Sequence, residues 1–353
     1  MKITGNKGEW SELYVLLRLL ADGKIYIAAE DLRRDESCYL PVLEIFRDEI
    51  GSNHIEYKRS NQKHIELYLN GSLVRKIKTA ELAETAAKFY GAIVEGAGSF
   101  HIDGAEEVMT KLECRKIKAA SADKTDISMK VHDPFTNYER ICGYSIKSDL
   151  GSPPTLLNAS RATNFIYSVG EMSDADMIAI NAIDTRTKIK DRLSRIDELT
   201  FVATANETFS GNLLFIDSLM EKILSEVLLI FYREGVGDCT ALATKLEENN
   251  PLHYKRGGIY RHKLKKFLCA VALGLNPATP WNGIDEANGG YIIVTERGDV
   301  IAYHLYNRDS FEAYLLNNTR LETASTGRHD FASVYVGDDG KKYINLNLQI
   351  RFK

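Results

Sequence analysis

Apolar residues recur along the chain with two distinct periods. Over residues 8–22, GEWSELYVLLRLLAD, the side chains of Trp10, Leu13, Leu17 and Leu20 share one helical face. Tyr14, Leu16 and Leu19 widen that surface almost all round, the pattern of a buried helix. Gly23 is a C-terminal stop. The period then shortens to two in HIEYKRS at 54–60, HIELYLN at 64–70 and SLVRKIK at 72–78. Asn70-Gly71 supplies the hairpin turn between the last two. Helices are expected near 80–95 and 104–112. DISMKVH at 126–132 and ICGYSIKS at 141–148 read as strands, joined by the turn chemistry of DPFTNYER at 133–140. GSPPTLLNASRATNFIY then reads as a loop running into a helix, with a polar helix after it at 173–195.

The second half opens with a long amphipathic helix at 215–234 and a helix, TALATKLEENN, that ends before Pro251. A basic segment leads into KKFLCAVALG. After Pro277 and Pro280 the pattern turns to strands: a hairpin at 289–306 around Arg297-Gly298-Asp299, a short helix in SFEAYLLNNTR, and a hairpin in ASVYVGDDGKKYINLNLQIRF. The expectation is an α/β (α+β mixed) chain. Its 353 residues exceed one ordinary core, and two domains are expected, 1–195 and a helical then β-rich 196–353.

Composition narrows the setting. No stretch reaches the roughly 18 apolar residues needed to span a bilayer, and MKITGNKGEW has no apolar core of a secretory signal. Five scattered cysteines, Cys38, Cys114, Cys142, Cys239 and Cys269, lack metal-ligand spacing and fit reduced thiols in a cytoplasmic protein. The net charge of −4 does not point to nucleic acid, but phosphate affinity depends on local patches. Segment 111–124 carries five Lys/Arg, and segment 253–266 carries six with two histidines and no acid. Either reads equally well as a solvated helix face.

The hairpin at 126–148 holds the chemistry. With the turn centred on 133–140, Asp126 pairs opposite Lys147, and Ser145 shares the face of Lys147. Spacing alone describes an ordinary cross-strand ion pair. The same two groups also suit phosphodiester cleavage, the carboxylate holding Mg²⁺ and the ammonium orienting water or stabilising developing charge. Such a site needs a further carboxylate, because Ser145 supplies none. Glu9 and Glu12 on the first helix are candidates. Glu9 also suits a helix N-terminus. Glu12 shares its side with Leu16 and Leu19, so its buried charge calls for a cation.

Taken together, Asp126, the triplet Ser145-Ile146-Lys147 and Glu12 resemble the PD-(D/E)XK nuclease superfamily, in which an acid opens one strand and an acid-x-Lys triplet closes the next. Ser145 departs from that pattern. Gly8-x-x-x-Glu12 leading into an apolar helix also resembles the opening helix of archaeal junction-resolving enzymes of this fold. Over nearly the full chain, the segments TGNKGEWSELY, KAASADKTDISMKVHDP, GYSIKSDLGSPPTLLNASRATNFIY, GGYIIV and YINLNLQIRF resemble the HpaII-type family of type II restriction endonucleases. The resemblance implies a PD-(D/E)XK core with a central mixed sheet flanked by helices. It implies Mg²⁺-dependent cutting of double-stranded DNA at the palindrome C-C-G-G, and a companion cytosine methyltransferase. It also implies catalytic Glu12, Asp126, Ser145 and Lys147, with Asp126 and either Glu12 or Glu9 on the metal. Ser145 leaves open a non-cleaving DNA-binding protein on the same fold, and the first helix leaves open a structure-specific repair nuclease.

Guanines are read by Arg or Lys in the major groove, with amides and hydroxyls adding contacts. Candidate DNA-binding residues are Lys124 before the hairpin, and Ser148, Ser152, Asn158, Ser160, Arg161 and Asn164 after it. Lys255, Arg256 and Arg261 surround Gly257-Gly258, where a backbone could approach phosphates. Arg320 and Arg328 lie in the last third, so 196–353 is expected to be an α+β DNA-recognition domain beside a catalytic 1–195. The small polar residues after the hairpin fit a capped helix equally well. His304, between Tyr303 and Tyr306, reads as a core or edge histidine. A palindromic target calls for either a homodimer or a monomer acting on each strand in turn.

Overall fold

The computed structural model describes residues 2–28, 34–49, 53–118, 125–134, 136–303 and 308–353. The chain opens with α1 (Lys7–Asp22), β1 (Lys24–Ala28), β2 (Arg34–Glu49), β3 (Asn53–Asn61), β4 (His64–Leu69) and β5 (Ser72–Lys78). There follow α2 (Thr79–Glu95), α3 (Ala105–Lys111), β6 (Ile127–Asp133) and β7 (Tyr138–Ser148). Next come β8 (Thr155–Leu157), β9 (Asn164–Val169), α4 (Asp174–Asn181), α5 (Lys188–Leu193) and β10 (Leu199–Thr204). Four helices follow: α6 (Glu207–Ile216), α7 (Met220–Glu234), α8 (Cys239–Asn249) and α9 (Ile259–Leu273). The chain closes with β11 (Gly290–Val294), β12 (Val300–Tyr303), α10 (Arg308–Asn318), β13 (Thr319–Leu321), α11 (Thr326–His329), β14 (Val334–Val336), β15 (Lys342–Asn347) and β16 (Ile350–Phe352). Among the described residues the chain is mixed α/β, and no helix is long and apolar enough to cross a membrane.

The residues form two compact units. One joins Met1–Pro154 to Asp285–Phe311; the other joins Thr155–Ile284 to Glu312–Lys353. The expected division near 195 therefore differs from the observed one. Strand pairing overrides sequence proximity, because β11 and β12 return to the first unit. Its nine-stranded sheet runs β1-β12-β11-β7-β6-β2-β3-β4-β5, with β1 also paired to β2. β11 lies parallel to β7, while β6 and β7 are antiparallel. The second unit holds two smaller sheets, β10-β9-β15-β14 and β13-β16-β8.

Helix α1 forms as its pattern predicts. Trp10, Leu13, Val15, Leu16, Leu17, Leu19 and Leu20 are all buried, each stabilising by roughly 1.5–3 kcal/mol. Gly23 ends the helix at φ 66°, and a Cβ there would meet the Arg59 guanidinium at 2.2 Å. At the β4–β5 turn, Asn70 and Gly71 both take positive φ, as a tight right-twisted hairpin requires.

Three local expectations fail. No helix forms across 151–167; the chain makes β8 and β9 around a short 3₁₀ turn at Arg161–Thr163. Phe165, Tyr167 and Val169 are buried at a spacing of two, and both edges of β9 are paired. The polar stretch 173–195 breaks into α4 and α5. The long helix at 215–234 begins only at Met220, because α6 ends at Ile216 and Asp217 takes extended backbone.

Candidate active site

The first turn of α1 is fixed by a reciprocal cap. The Asn6 side chain accepts from the Glu9 N–H at 3.0 Å, and the Glu9 carboxylate accepts from the Asn6 N–H at 2.8 Å. Glu9 thus has a structural task at the helix start. Trp10 Nε1 donates to the Phe100 carbonyl at 3.0 Å. Buried Ser11 donates to the Lys7 carbonyl, and its Oγ lies 2.8 Å from Ser148 Oγ, tying α1 to the end of β7. Glu12, the next residue, is carried to the same end of the sheet.

The β6–β7 register differs from the expected one. Ile127 pairs with Tyr144 and Asp133 with Tyr138, which brings Asp126 opposite Ser145 instead of Lys147. The turn is tighter than a loop over 133–140: Asp133 already pairs, Thr136 donates to its carboxylate at 2.6 Å, and Asn137 takes φ 53°. The displacement is two residues, so the shared face of Asp126, Ser145 and Lys147 survives. Asp126 continues the ladder with its side chain. Its N–H donates to the Tyr144 carbonyl at 2.9 Å. Its Oδ2 then accepts from the Ile146 N–H at 2.7 Å and from Ser145 Oγ at 3.0 Å. Among the described residues Oδ1 accepts no hydrogen bond.

Lys147 has no hydrogen bond or ion pair among the described residues. Its Nζ lies 5.3 Å from the ring centroid of Tyr291, a buried residue of β11 paired with Ser145. Burial pushes the Lys147 ammonium below its ordinary pKa, although the charges of Asp126 and Glu12 oppose that shift. Glu12 is only 11% exposed, and its Oε1 meets Lys118 Nζ at 2.8 Å. Burial, and then the negative charge of Asp126, raise the Glu12 carboxyl to about 7, with Lys118 and Arg47 pulling the other way. For Lys118, burial lowers the pKa but the bond to Glu12 outweighs it, so the ammonium is favoured.

Lys118 is held from behind. Buried Arg47 on β2 donates through one guanidinium nitrogen to the carbonyls of Lys116 and Ile117, at 2.6 and 3.2 Å. Its Nε is paired with buried Glu49 at 2.7 Å. Sequence reasoning singled out none of Lys118, Arg47 and Tyr291. Lys118 lies in the basic segment 111–124, and its position there was the available signal. Glu9, Glu12, Lys118, Lys147, Ser148 and Ser152 line one open cleft of about 910 Å³ in the first unit.

The carboxylates of Glu12 and Asp126 are oxygen donors, the type that a hard divalent cation takes. Among the described residues no group of three His, Cys, Asp or Glu is placed to hold a metal. The negative charge of Asp126 acts on the Glu12 carboxyl, and Mg²⁺ takes only one or two protein carboxylates.

The DNA-binding candidates divide by exposure. Ser152, Asn158, Arg161, Lys255, Arg256 and Arg328 are exposed. Asn164 is 2% exposed and donates to the His329 and Asp330 carbonyls, so it holds the second unit together and is not free to read a base. Ser148 is buried against Ser11, and Ser160 caps the 3₁₀ turn. Around Gly257-Gly258, the Glu247 carboxylate already accepts from the N–H groups of Gly258 and Arg261, at 2.9 and 3.1 Å. The backbone expected to meet phosphate is therefore capped from within. Arg261 also bonds Thr244, and Arg320 lies 3.5 Å from Glu322. Lys124, His304 and Tyr306 lie outside the described residues.

A sequence model of the family described as HpaII restriction endonuclease matches residues 6–352. The chain is 36% identical to the type II restriction enzyme HpaII of Haemophilus parainfluenzae, over 99% of this chain and 98% of that protein. No solved structure matches it. With a match that runs almost end to end, the chain belongs to the HpaII restriction endonuclease family.

Proposed function

We propose that this chain cleaves double-stranded DNA at the palindrome C-C-G-G by Mg²⁺-dependent hydrolysis, on a PD-(D/E)XK core formed by α1, β6 and β7. Family membership makes it a type II restriction enzyme, a site-specific deoxyribonuclease. The observation that carries the finer reading is the convergence of Glu12, Asp126 and Lys147, with Ser145 holding Asp126 in place.

Asp126 and Glu12 would hold Mg²⁺. When bound, the ion supplies positive charge at the scissile phosphate and acidifies water. Ile146 N–H and Ser145 Oγ fix the Asp126 carboxylate through Oδ2 and leave Oδ1 for a ligand. Lys147 brings an unpaired ammonium into a poorly solvated site, where it stabilises negative charge developing on the phosphate. Ser145, in the position of the superfamily's second acid, acts as a hydrogen-bond donor, and Glu12 from α1 brings the second carboxylate. Exposed Arg161, Lys255, Arg256 and Arg328 supply cations for phosphates and guanine edges.

The test is to incubate plasmid DNA of known sequence with the protein and Mg²⁺ and to map the fragment ends. Discrete fragments that all end within C-C-G-G are expected. A different common terminal sequence overturns the proposed target, and absence of cutting with Mg²⁺ overturns the cofactor.

A further inference from the structure

We propose that Lys118 is a resident counter-cation of the active site, and that a divalent metal enters by displacing its ammonium from Glu12. This inference rests on the reading of Glu12 and Asp126 as metal ligands.

Three observations carry it. Lys118 Nζ lies 2.8 Å from Glu12 Oε1, on a carboxylate that is only 11% exposed. A buried carboxylate is stable only with a cation beside it, and Lys118 supplies that charge without a metal. Second, the backbone behind Lys118 is built to hold it there. Arg47 is 7% exposed, bonds the carbonyls of Lys116 and Ile117, and is itself locked by Glu49. Third, the Lys118 side chain is 54% exposed. Its stem therefore has room to leave while the carbonyls of Lys116 and Ile117 stay bonded to Arg47. An ammonium and a divalent ion on the same largely buried carboxylate repel each other, so metal binding at Glu12 is an exchange of one cation for another.

The experiment is calorimetric titration of Mg²⁺ into the full chain without DNA, at about pH 9, where an ordinary carboxyl is fully ionised. The wild type is compared with Lys118→Met, Lys118→Arg and Glu12→Gln. Lys118→Met keeps the length of the stem and removes the charge. It is expected to bind Mg²⁺ about five-fold more tightly, the order expected for releasing a half-exposed ion pair. Lys118→Arg keeps the competitor and should stay near wild type. Circular dichroism checks that each variant folds. Unchanged or weaker binding by folded Lys118→Met, while Glu12→Gln has lost it, overturns the exchange alone. Wild-type affinity in Glu12→Gln overturns the assignment of Glu12 as a ligand, and the exchange with it.

Discussion

Ser145 donates its hydroxyl to Asp126 across the β6–β7 pair, Oγ to Oδ2 at 3.0 Å. The residue that departs from the acid-x-lysine pattern thereby becomes a support for the acid on the neighbouring strand. Ser145→Ala removes one of the two hydrogen bonds that orient Asp126 and leaves the Ile146 N–H in place. Stability should fall by about 1 kcal/mol, and cleavage by about ten-fold or less, in single-turnover plasmid assays. A loss as large as that of Lys147→Ala would mean that Ser145 takes part in the chemistry directly.

Lys147→Ala removes a buried ammonium that has no hydrogen bond or ion pair among the described residues. Cleavage should drop by on the order of 10²–10³ or more, while DNA binding in a gel-shift assay without metal stays near wild type. Normal cutting by the variant would show that Lys147 is not catalytic.

Glu12 makes stability depend on pH with a definite sign. Its carboxyl is raised from 4.5 to about 7, so between these values the folded chain holds a proton that the unfolded chain has released. Stability therefore falls as pH rises through this window, by on the order of 2 kcal/mol from this group. Glu12→Gln should flatten that part of the profile, stabilise the protein near pH 8 and abolish Mg²⁺-dependent cleavage. Thermal melts from pH 4 to 8, with and without the substitution, give the comparison. A steeper profile in the variant would contradict the assignment.

Asn164 and Arg256 should separate structure from recognition. Asn164→Ala empties a buried amide that joins β9 to the carbonyls of His329 and Asp330. It should cost about 2–3 kcal/mol in chemical denaturation. Any folded fraction should cut the same sequence as the wild type. Arg256→Ala, at an exposed position, should leave the melting temperature unchanged. It should weaken DNA binding and lower the slope of log K against log salt by about one.

Much of the site was legible because strand alternation has a period of two. The expected partner of Asp126 was two residues off, yet Asp126, Ser145 and Lys147 kept one face. Glu12 was legible because a carboxylate inside an apolar helix needs a cation, and Lys118 is that cation. Neither Lys118 nor Arg47 was individually legible, since Lys118 meets Glu12 across 106 residues of chain and Arg47 meets Lys116 across 69, not through a local period. Tyr291 escaped for the same reason: its strand pairs with β7 only after the whole of 155–284 has intervened. Asn164 misled because an amide in a polar stretch looks the same whether it faces solvent or a neighbouring carbonyl.

The parallel strand β11 has a consequence for synthesis. Lys147 rests beside the Tyr291 ring, and Gly289 N–H bonds the Gly143 carbonyl at 2.7 Å, so the strand beside Lys147 is laid down some 140 residues after it. A ribosome-bound chain that has passed Lys147 but not Val294 carries its carboxylates and ammonium without the strand beneath them. The sheet around Lys147 is therefore completed only when translation is nearly finished.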